Sequence, residues 1–233
     1  MRPLLITSGA LILAATTTFA QDKTYNLTGF DEIEVSAGVE VDITVGEDFS
    51  VIGTAVRGDI ERLDIIQHDN RLMISRESQN RPRLFGLLRS EDRFEVSVTL
   101  PALTLIESTS GSDVDVAGAT SALESISAAS GSSLRIDSAN LGNVSIDAVS
   151  GSSLTVSGTC EQLRTDASSG ASLSAKGLTC IDVTASASSG ASLTVHASGT
   201  AAVDASSGAS LSLRGGAEIT DQDVSSGASV SVR

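Results

Sequence analysis

From Ser108 to the C-terminus, apolar and small residues return in one fixed phase around a repeated glycine. Seven segments carry the pattern: STSGSDVDV (Ser108–Val116), AASGSSLRI (Ala128–Ile136), AVSGSSLTV (Ala148–Val156), ASSGASLSA (Ala167–Ala175), ASSGASLTV (Ala187–Val195), ASSGASLSL (Ala205–Leu213) and VSSGASVSV (Val224–Val232). Their glycines, Gly111, Gly131, Gly151, Gly170, Gly190, Gly208 and Gly227, are separated by 20, 20, 19, 20, 18 and 19 residues. Leu or Val stands three positions after each glycine and an aliphatic residue five after it, with a polar or charged residue between. That alternation describes a short strand with one buried and one wet face. The glycine marks a corner, where it permits a positive φ at no steric cost. A second apolar cluster falls midway in each repeat (Leu123 and Ile126; Leu141, Val144 and Ile146; Leu163; Ile181 and Val183). Each repeat therefore predicts at least two strands, stacked parallel on those of the next at about 4.8 Å. The fold class expected is an all-β parallel β-helix, one repeat of 19–20 residues to the turn.

So much Ser, Gly and Ala is also what a disordered linker contains. A linker has no reason to keep its apolar residues in phase through seven copies, so the solenoid reading prevails. Residues 21–106 alternate in the same manner but less regularly, as in Phe30–Val35, Val39–Val45 and Phe94–Leu100, and are read as irregular first turns of the same solenoid. Residues 107–233 are its regular turns. A segment of different character, 76–93 (RESQNRPRLFGLLRSEDR), interrupts the irregular part. Its Arg81, Arg83, Leu84, Phe85, Leu87 and Leu88 make either a contact loop or a flap folded over one flank of the solenoid.

The start of the chain changes the compartment. Met1–Ala20 combines Arg2, an apolar run from Leu4 to Ala15 and Thr-Phe-Ala before Gln21, which reads as a signal peptide and is too short for a membrane span. No further stretch is apolar and long enough to cross a membrane, so an exported chain is expected, in the periplasm or at the surface of a bacterium. The net charge of −14 excludes nucleic acid and anionic lipid as partners. Cys160 and Cys180, 20 residues apart, occupy equivalent places on adjacent turns. At one strand spacing they can be bridged, and an oxidising compartment favours a disulfide over two buried thiols. No His or further Cys joins them, so no metal is expected.

Three phrases, FDEIEVSAGVEVDITVG (Phe30–Gly46), RLMIS (Arg71–Ser75) and FEVSVTLPALTLIESTSGSDVDV (Phe94–Val116), precede the serial SGS and SGAS corners. In that order they resemble the auto-transporter adhesin head GIN domain family, over roughly Tyr25 to Arg233. The resemblance implies a right-handed β-helix shaped like the pectin lyases but without their catalytic residues, and a role in cell adhesion. In one respect the sequence departs from an auto-transporter. It shows no barrel-forming or anchoring segment after Arg233, so self-export and tethering by this chain are not expected.

Chemistry is sparse. The two histidines, His68 and His196, fall on different turns. An acidic column four residues before the glycine (Glu107, Asp147, Asp166, Asp204 and Asp223, interrupted by Ser127 and Ser186) could bind cations, but reads better as a solvated rim that discourages edge pairing. Arg57-Gly58-Asp59 is an ordinary turn that matches an integrin tripeptide by chance. Two outward ranks of hydroxyls, Ser153/Thr155, Ser172/Ser174, Ser192/Thr194 and Ser210/Ser212, continue at Ser229/Ser231. They could serve glycan or ice, although a plain polar face explains them better. The sequence thus predicts a non-enzymatic, cofactor-free module for adhesion or envelope interaction, with a structural or stress-related envelope protein as the alternative. Its partner is an envelope or cell-surface component. A further contact, with another copy or another envelope protein, is expected at the solenoid end, where Val230, Val232 and Arg233 close the last turn without a cap.

Overall fold

The computed structural model describes residues 21–77, 92–118 and 120–233. The signal segment therefore lies outside the described residues, as do Arg81, Arg83, Leu84, Phe85, Leu87 and Leu88. The N-terminal strands are β1 (Gln21–Tyr25), β2 (Glu32–Val35), β3 (Glu40–Val45), β4 (Ser50–Arg57), β5 (Leu63–His68), β6 (Arg71–Arg76) and β7 (Arg93–Leu100). Then follow β8 (Leu105–Ser108), β9 (Asp113–Gly118), β10 (Ser125–Ala128), β11 (Ser133–Ala148), β12 (Ser153–Ala167), β13 (Ser172–Ala187), β14 (Ser192–Ala205), β15 (Ser210–Arg214), β16 (Glu218–Val224) and β17 (Ser229–Val232). The chain is a β-solenoid of about 6 turns with no α-helix among the described residues.

Two parallel ladders run the length of the rod. Before the corner, β8, β10 and the later halves of β11 to β14 pair in register, ending on β16. After the corner, β9 pairs with the start of β11, and the ladder continues through β12, β13, β14 and β15 to β17. Register places like on like: Leu134, Leu154, Leu173, Leu193 and Leu211 form one buried column, and Ala128, Ala148, Ala167, Ala187 and Ala205 another. The core is thus a thin aliphatic stack.

The corners are more constrained than the glycine alone indicates. At each, both the glycine and the serine before it have positive φ, as in Ser169 (54°) and Gly170 (73°). The next residue closes the turn: Ala171 N donates to Ser168 O at 3.1 Å, and Ala191 N to Ser188 O at 3.0 Å. Two successive left-handed residues with that hydrogen bond are the arrangement of a type I′ turn. Successive corners are also tied to each other, Gly170 N donating to Ser189 O and Gly190 N to Ser207 O, both at 3.1 Å. A Cβ on Gly170 would meet nothing within 4 Å, so glycine is required there for its conformation and not for space.

Inside the first corners a hydroxyl is buried. Ser112, Ser132 and Ser152 follow their glycines and are 1% exposed. Ser132 Oγ donates to Ser108 O at 2.7 Å and Ser152 Oγ to Ala128 O at 2.8 Å, which offsets the cost of burying them. From the fourth corner on, this place is taken by Ala171, Ala191 and Ala209, which bury no polar group.

The N-terminal rungs do not stack in chain order. β2 lies between β6 and β8, and β3 between β7 and β9, so the second pass of the chain sits outside the first. Beyond that rung the direction reverses. β4 pairs antiparallel with β7, β1 antiparallel with β4, and β5 antiparallel with β6. This end is filled by the large side chains Phe30 and Phe94, with Phe49 edge-on to Phe30 at 5.1 Å. The opposite end is not closed in this way. Val224, Val232 and Ile219, which continue buried columns, are 41, 49 and 36% exposed.

Leu173 lies between Leu154 and Leu193 and is fully buried, so Leu173→Ala is expected to cost about 2–4 kcal/mol in chemical denaturation. Gly170→Ala is expected to cost about 1–2 kcal/mol from its left-handed φ alone, since the added methyl has room.

Candidate functional site

The regular turns present two outward surfaces, one on each side of the corner. After the corner, Ser153, Ser172, Ser192 and Ser210 fall in one register column, running on to Ser229, and Thr155, Ser174, Thr194 and Ser212 in a second, running on to Ser231. Pleating puts all of them on one face, the first rank exposed and the second half-buried against its neighbours from Thr155 to Ser212. Near the C-terminal end this face sinks into a shallow depression of about 290 Å³ lined by Ser192, Thr194, Ser210, Ser212, Ser229 and Ser231. Ser210 and Ser229 share a hydrogen bond of 3.1 Å.

The same columns change chemistry towards the N-terminal end. Ser133 and Arg135 are followed by Asp113 and Asp115, then Glu40 and Asp42, then Glu95 and Ser97. Arg93 holds Glu40 at 2.7 Å and Glu95 at 3.2 Å, while Arg135 reaches Asp115 at 3.6 Å. Burial and then the charge of Asp113 push the Asp115 carboxyl above its ordinary pKa. Even so, no three His, Cys, Asp or Glu side chains converge as a metal site among the described residues.

Before the corner the outward columns are different. Glu107, Ser127, Asp147, Asp166, Ser186, Asp204 and Asp223 stand in register one per turn, with Glu34 beyond them. Half-buried Asp147 is pushed up by burial and then by the adjacent Asp166 charge. Beside this column lies an open groove of about 460 Å³, crossing several turns and lined by Asn143, Gln162, Arg164, Asp182, Thr184 and Thr200 among others. Nothing in the sequence marked it. Its residues differ from turn to turn, and the register of the ladders aligns them in one strip.

Between the two surfaces, Cys160 and Cys180 are register partners with Cα atoms 4.5 Å apart, joined by a disulfide. Both are buried, in the column that holds Leu141 on one side and Ala197 on the other. The bond staples two neighbouring turns across the middle of the groove-bearing region.

The remaining sequence candidates are separate. His68 lies in the β5–β6 hairpin, 3.2 Å from Asp69 and well exposed, and His196 on β14. In the Arg57-Gly58-Asp59 turn, Asp59 accepts from Glu61 N at 3.1 Å as the cap of a short 3-10 turn. Gly58 packs so closely on Asp92 that a Cβ there would lie 2.6 Å from its carboxylate. Asp92 and Glu77 are brought together by Arg62, which pairs with the Asp92 carboxylate and donates to Glu77 O at 2.9 Å. Gly58 and Asp59 are thus held by local packing and capping.

The fold is that of a β-solenoid with long exposed faces, and family comparison places it. Residues 29–217 match the family described as "Putative auto-transporter adhesin, head GIN domain", and the chain belongs to that family. It has no match among curated proteins. Among solved structures it is similar to a "putative adhesin" from Bacteroides fragilis NCTC 9343, with 14% identity and TM-score 0.74. It is also similar to a "putative lipid binding protein" from Parabacteroides distasonis ATCC 8503, with 11% identity and TM-score 0.71. A third is a "putative adhesin" from Parabacteroides merdae ATCC 43184, with 13% identity and TM-score 0.64. In each case 93% of this chain and 97% of the other are covered, and at these identities the likeness is one of fold.

Two outcomes follow from this geometry. Reduction of Cys160–Cys180 is expected to lower stability by about 3 kcal/mol, the chain-entropy value for a loop of this length, read as a shift of the denaturation midpoint with and without reductant. The second concerns Asp147. Its raised folded pKa means the unfolded state holds the charge more readily, so stability falls as pH rises through that pKa. Asp147→Asn should therefore raise the melting temperature at pH 7, on the order of 1–2 °C because solvent screens the group. The gain should vanish below the unfolded carboxylate value of about 3.9.

Proposed function

We propose that this chain is a non-enzymatic adhesion module, exported to the periplasm or the cell surface, that displays rigid polar faces to an envelope or cell-surface partner. The observation that carries the reading is the match of most of the chain to an adhesin-head family. The architecture supports it. Outward side chains are fixed by the ladders into ranks one strand spacing apart, which suits contact with an extended surface better than enclosure of a reacting group. The acidic net charge directs the module away from nucleic acid and anionic lipid. No helix among the described residues is long and apolar enough to cross a membrane.

The C-terminal end adds a second contact. Among the described residues, Ile219, Val224 and Val232 expose apolar columns on β16 and β17, the last strands of their ladders, whereas antiparallel strands lie at the N-terminal end. We propose that two copies meet through these C-terminal ends. Head-to-tail growth is disfavoured, because β1, β4 and β5 occupy the other end of the stack.

Purified protein coated on beads is expected to retain bacterial cells or their isolated envelopes above the level of an acidic control protein, and soluble protein should compete. Retention equal to the control would overturn the adhesion reading. Sedimentation should give a dimer at tens of micromolar. Val232→Asp should return it to a monomer, and a monomer at that concentration before mutation would remove the end-to-end contact.

A further inference from the structure

We propose that the groove across β11 to β14 is a binding site for an extended, neutral, hydroxyl-rich chain, a linear glycan lying parallel to the rod axis. The inference deepens the adhesion reading and rests on it, by naming the ligand class and the face that takes it.

Four observations lead to this site. The groove, about 460 Å³, is larger than the depressions on the opposite surface, at about 290 and 240 Å³. Its long axis runs across the strands, so a ligand there passes from turn to turn and does not pair with a sheet edge. One register column supplies Asn143, Gln162, Asp182 and Thr200, and the next supplies Ser145, Arg164, Thr184 and Ala202. Finally, several of these groups are unused by the fold. Asn143 and Gln162 make no side-chain hydrogen bond among the described residues, and Arg164 acts on the neighbouring Asp147 through its charge alone. Asp182 is held in place through one oxygen, Oδ1, which accepts from Thr200 N at 3.1 Å and Thr200 Oγ1 at 2.6 Å. Its Oδ2 remains available.

The spacing chooses among ligands. Polar groups recur at the strand spacing of about 4.8 Å, slightly shorter than the advance of one pyranose unit in an extended glycan, so over the few turns of the groove each sugar lies beside about one turn. An extended peptide advances about 3.3 Å per residue and falls out of step. A polyproline helix would recur over two turns, but such ligands dock on aromatic-lined grooves, and this one has no aromatic residue. Carboxylate, carboxamide and guanidinium groups carry the donors and acceptors that vicinal hydroxyls require. Charge then selects a neutral chain. The groove is rimmed by Asp147, Asp166 and Asp204 and contains Glu124 and Asp182 against the single cation Arg164, a field that repels uronic or sulfated sugars. Without an aromatic platform each sugar contributes little, and affinity accumulates with the number of turns spanned. The ladders fix the groups beforehand, so little ordering entropy is lost on binding.

The test uses purified protein, with cellohexaose and chitohexaose as neutral probes and hexagalacturonate as an anionic one, by titration calorimetry and amide chemical shifts. At least one neutral hexasaccharide should bind, about tenfold more tightly than its disaccharide and than hexagalacturonate. The double change Gln162→Ala with Asp182→Ala should weaken it about tenfold or more. The double change Ser192→Ala with Ser210→Ala, on the opposite face, should leave binding unchanged. Thermal melts of both variants show that they are folded, and should Asp182→Ala not fold, Gln162→Ala with Arg164→Ala replaces it. Absence of binding by both neutral probes, tighter binding of the anionic one, or equal effects of the two faces would overturn the proposal. Envelope retention separates the two readings. Retention that persists in the groove variant and is not competed by the hexasaccharide leaves adhesion standing without this site. Hexasaccharide binding without retention has the opposite meaning.

Discussion

Outside its corner, each regular turn of this chain satisfies its backbone hydrogen bonds through the turns on either side. Nearly every other property descends from that requirement. Backbone groups that cannot pair are costly, so neighbouring turns bend together, and local register shifts between paired strands absorb their small differences in length. The register between those shifts fixes which side chains stack, either as like on like or as mixed columns such as Leu141, Cys160, Cys180 and Ala197. This shared register is why Leu stacks on Leu and Ala on Ala beside each corner. It also explains how about 20 residues per turn, far too few for a core of their own, hold a defined shape.

The corner is where the requirement is most expensive. Each turn places a serine in the left-handed region, which disfavours any residue with a side chain. The expense is accepted at every corner because a type I′ turn brings the closing amide and the inter-turn glycine amide into bonding position together. Serine is small and its left-handed φ is tolerated; the glycine beside it takes the second positive φ. Interior to the corner, the exchange of Ser112, Ser132 and Ser152 for Ala171, Ala191 and Ala209 shows two solutions to one volume. In the first the hydroxyl is carried and bonded to the previous turn, and in the second it is dispensed with.

What could be read in the sequence is what repeats. The Leu and Val columns, the glycine corners and the adjacency of Cys160 and Cys180 all follow from period and phase, because stacking converts a sequence interval into a spatial neighbour. Features that carry no residue signature of their own were silent. The positive φ of Ser169 and its equivalents leaves no mark apart from a Ser-Gly pair that fits many turns. The burial of Ser132 looks, in sequence, like any polar residue near a corner. The interleaving of β2 with β6 and β8 breaks the rule that neighbours in chain are neighbours in space, and no local pattern announces it. The groove escaped for a related reason: Asn143, Gln162, Asp182 and Thr200 share a column but not a residue type, and columns were recognised by their sameness.

That interleaving gives the rod a direction in time. The rung of β2 and β3 has a neighbour on each side, and one of them, β6 with β7, is completed only when residue 100 has joined. Until then the first rung has neither its outer cover nor the antiparallel strands that seal it. Once this assembly has closed, each later turn finds a finished template and adds about twenty residues to it without waiting for anything downstream. A chain delivered amino end first can thus complete its most entangled part at the outset. The remainder then winds on at the rate at which it arrives.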